Sequence, residues 1–148
     1  MMYEWICMQG GGKCDRSRFL LCWASESRSY QQRNGTSNPP HTHPRATEIL
    51  FVLEGELDVG FITTANKLIS KTVKEGEVFV FPKALVHFQK NNGDKPAAVI
   101  SAFDSQLPGT FSIVAVLFNS TPSVPDDVLT HAFQIDTQDV DKIKNSLS

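Results

Sequence analysis

The feature that most limits what this chain can fold into is a series of short β-branched and aromatic runs, each cut off by turn-forming residues. The runs cover residues 48–53, 56–63, 67–73, 77–81, 86–91, 97–103 and 110–117, and the breaks between them include Glu54-Gly55, Lys74-Glu75-Gly76, Pro82-Lys83-Ala84, Asn92-Gly93-Asp94 and Leu107-Pro108-Gly109. β-Branched and aromatic side chains suit a pleated, half-buried surface, whereas Gly, Pro, Asn and Asp end it. About seven such strands at roughly eight- to twelve-residue spacing, with no long helix between them, predict a mostly β fold built as an antiparallel sandwich or barrel. The break at Glu54-Gly55 predicts a hairpin between the first two runs. After Pro125 the period changes. Asp126 and Asp127 suit a helix N-terminus, and Val140, Ile143 and Leu147 share one face behind a cap at Asp136 or Thr137, so two short helices are expected to close the chain. Residues 1–33 show neither period and read as an irregular leader to one domain over residues 34–148.

The remaining totals exclude whole classes of function. A chain of 148 residues has room for one core, and its net charge of −2 supplies no basic excess for nucleic acid or anionic lipid. No apolar run approaches the roughly 18 residues of a membrane span, so no membrane anchor is expected. The early patch at residues 19–24 is short and runs into Ser25-Glu26-Ser27, so no signal peptide is visible. Cys7, Cys14 and Cys22 all precede the patterned region and read as free thiols. Sequons begin at Asn34 and Asn119; they matter only for an exported chain.

Chemistry concentrates in three segments. His41 and His43 stand two apart, which in extended backbone directs both imidazoles to one side. Pro39-Pro40 keeps the approach extended, and Pro44 stops the strand so that the chain can re-aim Glu48 at the head of the next one. His87 lies on a later strand, with Gln89 and Asn91 on the same face. An isolated histidine is usually a packing or surface residue, and His131, in the helical tail, reads that way. Three imidazoles and a carboxylate at strand positions compatible with one point are instead expected to bind a single transition-metal ion through His41, His43, Glu48 and His87. The donor set alone admits a closed tetrahedral zinc or an octahedral manganese or ferrous ion that keeps two positions open. Asn38 is either a turn cap ahead of Pro39 or a substrate contact, and Arg45 reads as an ion-pair residue facing solvent or another subunit.

Those residues lie inside two long motifs. GTSNPPHTHPRATEILFVLEG, residues 35–55, resembles the first signature of the plant germin-like proteins of the cupin superfamily, and GEVFVFPKALVHFQKN, residues 76–91, resembles the second. The likeness continues through FDSQLPG, LFNSTPSVP and the closing helices, over about residues 35–147. It implies a cupin jelly-roll β-barrel with short C-terminal helices, and His41, His43, Glu48 and His87 match the family's manganese ligands one for one. It also implies an Mn2+ cofactor, an extracellular, apoplastic location and a homo-oligomer, namely a hexamer built as a trimer of dimers. Its activities are superoxide dismutation and, in true germins, oxalate oxidation; a non-catalytic binding or nutrient-reservoir role is the alternative. The substrate would be a small molecule, superoxide or a small carboxylate.

This chain departs from the family in three places. The leader lacks the family's first strands, and the surroundings of Cys7 and Cys22 differ from those of its cysteine pair. Ala84 stands where the motif has Gly, a position expected to need positive φ or close backbone approach. Asn38 matches an asparagine that helps hold the substrate of oxalate oxidases, but Arg28 stands where those enzymes have a second one, which favours superoxide dismutation over oxalate oxidation.

Overall fold

The computed structural model describes residues 30–32 and 37–147. The expectations for Cys7, Cys14, Cys22, Arg28 and Asn34 concern residues outside that range. Strands β1 (Tyr30–Gln32), β2 (Ser37–Thr42), β3 (Glu48–Glu54), β4 (Glu56–Ile62), β5 (Leu68–Lys74), β6 (Val78–Phe81), β7 (His87–Lys90) and β8 (Ala97–Phe103) belong to one compact unit that ends at Thr110. They form two antiparallel sheets, in the orders β1-β8-β3-β6 and β5-β4-β7-β2, as in a jelly roll.

Alternation decides which side chains fill this unit. Along β3, Glu48, Leu50 and Val52 are buried while Ile49, Phe51 and Leu53 face outward, the period of two that a half-buried strand requires. Leu50 and Val52 meet Leu57 and Val59 of β4, Val73 of β5, Phe81 of β6, and Ala97 and Val99 of β8 in one apolar cluster. Glu48, at the start of β3, carries the same inward face out of that cluster and into a polar site.

The hairpin expected at Glu54-Gly55 does not form. β3 pairs with β6 and β8, whereas β4 pairs with β5 and β7, so Gly55 hands the chain from one sheet to the other. Its φ is +81°, and a Cβ there would stand 3.1 Å from Ala97, so both the turn and the close approach call for glycine. The hairpin lies one connection later, between β4 and β5, in register from Glu56 opposite Lys74 to Ile62 opposite Leu68. Tyr30–Gln32 is also not irregular. It pairs with Ala97 to Val99 of β8, so the sheet extends into the segment read as a leader.

The second compact unit starts at Phe111. The run at residues 110–117 was expected to be a strand, but only β9 (Phe111–Ser112) is extended and α1 (Ile113–Phe118) follows at once. A short apolar run carries no period that separates strand from helix, and here packing decides. Leu117 and Phe118 join Leu129 of α2 (Asp126–Phe133) and Val140, Ile143 and Leu147 of α3 (Thr137–Leu147) in a second apolar cluster. Both helices expected after Pro125 form, and α1 adds a third ahead of them. The cap signals hold: Asp126 and Asp127 occupy the first turn of α2, and Asp136 Oδ1 accepts from the Asp139 N–H at 2.9 Å. His131 is exposed, as expected of a surface residue. Among the described residues no helix is long and apolar enough to cross a membrane.

Candidate metal centre

His41 lies near the end of β2, directly across the ladder from His87 on β7, with ring centroids 4.2 Å apart. The β2–β7 register shifts between Asn38 and His41, where Pro39 and Pro40 have no N–H to give to a ladder. His43 follows just beyond the strand and still points inward, its ring centroid 5.1 Å from that of His41. Glu48 reaches the same point from the opposite sheet. One ligand atom from each of the four residues lies within 4.8 Å of the others, and all four side chains are buried.

Backbone carbonyls set the orientation of each imidazole. Nδ1 of His41 is 2.8 Å from the Pro39 carbonyl, Nδ1 of His43 is 2.6 Å from that of Gly109, and Nδ1 of His87 is 2.8 Å from that of Leu85. A carbonyl oxygen only accepts, so each Nδ1 carries a proton and donates it. In the neutral rings that leaves all three Nε2 atoms with lone pairs turned into the site, the arrangement found in metal-ligating histidines. Aromatic walls restrict the rings further. Phe81 stacks on His87 at 4.4 Å between centroids, and Phe103 meets His43 edge-on at 4.7 Å.

The consequence is a demand for positive charge. Glu48 Oε2 stands 3.1 Å from Nε2 of His43 and 3.2 Å from Nε2 of His87, so lone pair would face lone pair unless a proton or a metal ion lay between. Without metal the protons supply it. Burial alone would raise the Glu48 pKa, but hydrogen bonds from His43, His87 and Ser101 outweigh it and hold the carboxyl at about 2. Burial likewise opposes charge on His43, yet the Glu48 and Gly109 contacts raise its pKa, while at His41 burial prevails and lowers it. A divalent ion would replace those protons and satisfy three nitrogen donors and one anionic oxygen at once. The residues present fit such an ion.

Sequence reasoning placed Gln89 on the site face but assigned it no task. In the fold its Nε2 donates to Glu48 Oε1 at 3.2 Å, and its Oε1 accepts from Asn38 Nδ2 at 3.3 Å. The two-residue step from His87 on β7 is the only signal that pointed to it. Asn38 is half-buried beside the ligands, its amide nitrogen 3.5 Å from His41 Nε2. Asn91, on the same face of the chain, is fully buried but serves the following loop, donating to the Lys95 carbonyl and accepting from the Gly93 N–H, both at 2.8 Å. The three carbonyls that orient the histidines had no side-chain signature.

The sequence model of the cupin family matches residues 21–141, and a germin-like protein, subfamily 2 member 4, from Arabidopsis thaliana is 70% identical over 115 residues. The chain is a germin-like cupin. That alignment takes in 77% of the cupin described here and 52% of the relative, so the chain spans about half the length of the curated relatives it matches. It is also similar to the rhicadhesin receptor of Pisum sativum, at 68% identity over 114 residues, with the same shares of the two chains. Among solved structures it resembles a recombinant oxalate oxidase in complex with glycolate, with a TM-score of 0.77 and 42% identity, covering 80% of this cupin and 60% of that chain. The family match begins at residue 21, ahead of the boundary at 34 expected from periodicity.

Proposed function

We propose that His41, His43, Glu48 and His87 hold one Mn2+ ion and that the centre dismutates superoxide. The observation that carries this reading is the set of three Nδ1–carbonyl bonds, which leaves three Nε2 atoms gathered around the Glu48 carboxylate. Manganese there supplies Lewis acidity and a reachable higher oxidation state, which zinc lacks. The protein's own residues do the rest. The imidazoles and Glu48 Oε2 hold the ion, Gln89 keeps Glu48 Oε1 occupied, and the Asn38 amide offers a hydrogen bond to a small anion arriving beside His41. Two superoxide ions and two protons from solvent give one dioxygen and one hydrogen peroxide.

The test is metal content and dismutase activity of the purified protein beside His87→Ala. We expect bound manganese and activity in the first and neither in the second; equal activity in the two refutes the proposal. Similarity to an oxalate oxidase solved with glycolate favours a second reading, in which the same centre binds a small carboxylate and either oxidises oxalate or merely holds the anion. Arg28, in place of the second asparagine, weighs against oxidation. Titration calorimetry with glycolate and oxalate decides it, since this reading requires saturable, metal-dependent heat. Extracellular location and assembly into a homo-oligomer belong to the same proposal, on the strength of the family resemblance.

A further inference from the structure

Arg45 was read as an ion-pair residue facing solvent or another subunit; among the described residues of this one chain its side chain forms no salt bridge. Instead it holds a loop. Three consecutive carbonyls at the end of the unit, those of Leu107, Pro108 and Gly109, are each taken by the segment from His43 to Arg45. The Arg45 Nε donates to Leu107 at 2.6 Å, the Arg45 backbone N–H to Pro108 at 3.1 Å, and His43 Nδ1 to Gly109 at 2.6 Å. The Arg45 guanidinium also lies flat against Gly109. A Cβ on that glycine, whose φ is +67°, would stand 3.0 Å from the nearest terminal nitrogen of Arg45.

We infer that Arg45 is a positioning residue for the metal centre: its guanidinium straps down the Leu107–Gly109 loop and so fixes the carbonyl that holds the His43 ring. The inference rests on the metal-site reading for its purpose, though not for its geometry. His41 and His87 take their carbonyls from Pro39 and Leu85, each two residues earlier on the same strand or turn, so local backbone supplies them. The His43 acceptor is 66 residues away, on a loop whose position depends on a tertiary contact and not on the backbone next to the ring. Thr110 Oγ1, 3.3 Å from the same nitrogen, is a weaker alternative partner. A planar guanidinium both donates to Leu107 and covers Gly109; an ammonium can do only the first.

The strap makes a prediction specific to one ring. In 1H–15N spectra of the metal-free protein, Arg45→Ala should speed exchange of the His43 Nδ1 proton with water by about tenfold or more, leaving those of His41 and His87 as in the wild type. Manganese affinity should fall about 10-fold, the lower end of the ~10–100-fold typical of partners that orient a ligand. Arg45→Lys, which can keep the donor to Leu107 but not the cover over Gly109, should fall between the wild type and Arg45→Ala in both measurements. An unchanged His43 proton, faster exchange at all three rings together, or a lysine variant that behaves as wild type overturns the inference. If the wild type takes up no manganese, the metal reading fails, and the exchange data still decide the strap.

Discussion

Replacing Ala84 by glycine should stabilise the protein, and the size of the gain can be worked out from one turn. Ala84 has φ of +63°, in the left-handed region where an L-residue's Cβ crowds the carbonyl that follows it. That conformation costs about 1–2 kcal/mol for an ordinary residue. Glycine removes the cost but widens the unfolded ensemble, which returns about 0.4–1 kcal/mol of it. The methyl group is exposed, so no buried surface is lost. The net expectation is a gain of roughly 0.5–1 kcal/mol, or about 1.5–3 °C in Tm for a chain of this size. The turn also touches the centre: the Ala84 N–H donates to the His43 carbonyl at 3.1 Å, and the Leu85 carbonyl holds His87. Because those contacts are backbone ones, the glycine should keep them. Urea denaturation of metal-free wild type and Ala84→Gly measures the difference, with Ala84→Val, whose branched Cβ crowds more, expected on the destabilised side. A glycine variant no more stable than wild type refutes the strain argument.

Acid should destabilise the metal-free protein through Glu48. Its folded pKa of about 2, below the ordinary 4.5, means that its contribution, on the order of a few kcal/mol, is fully present above about pH 4.5 and is lost as pH falls through about 2. His43, raised, adds stability below 6.5 that disappears as pH rises through its folded pKa, whereas His41, lowered, costs stability that appears only as pH falls below 6.5 toward its folded pKa. Denaturation midpoints measured against pH should therefore fall on the acid side, and Glu48→Gln should flatten that limb. Gln89→Leu frees Glu48 Oε1 and should weaken manganese binding about 10- to 100-fold in competition titrations with a chelator. Leu50→Ala, at a fully buried position, should cost about 2–5 kcal/mol in the same urea assay without altering the stoichiometry of bound metal.

Much of the site was legible because strand geometry is local. An i, i+2 pair of histidines on extended backbone must share a side, and the same rule placed Gln89 with His87. The strands from Glu48 to Phe103 were legible for the same reason, since their turn residues cut them at nearly the observed ends. Pairing was not. Glu54-Gly55 looks like a hairpin locally, yet β3 and β4 lie in different sheets, because β3 finds its partners in β6 and β8 while β4 finds its own in β5 and β7. Residues 113–118 misled for a related reason: a β-branched apolar run is compatible with either conformation, and the helical cluster around Leu129 and Val140 selected helix.

By itself, then, the sequence determined the candidate donor types, their strand setting and the germin-like cupin family, since these depend on residue chemistry, short spacings and long motifs. Only the tertiary structure decided which sheet each strand joins, that Glu48 meets the histidines from the opposite sheet, and that the carbonyls of Pro39, Leu85 and Gly109 turn every Nε2 inward. The physical reason is that a carbonyl has no side chain to announce it. Its role exists only once two segments, in the case of His43 and Gly109 66 residues apart, have been brought within hydrogen-bonding distance.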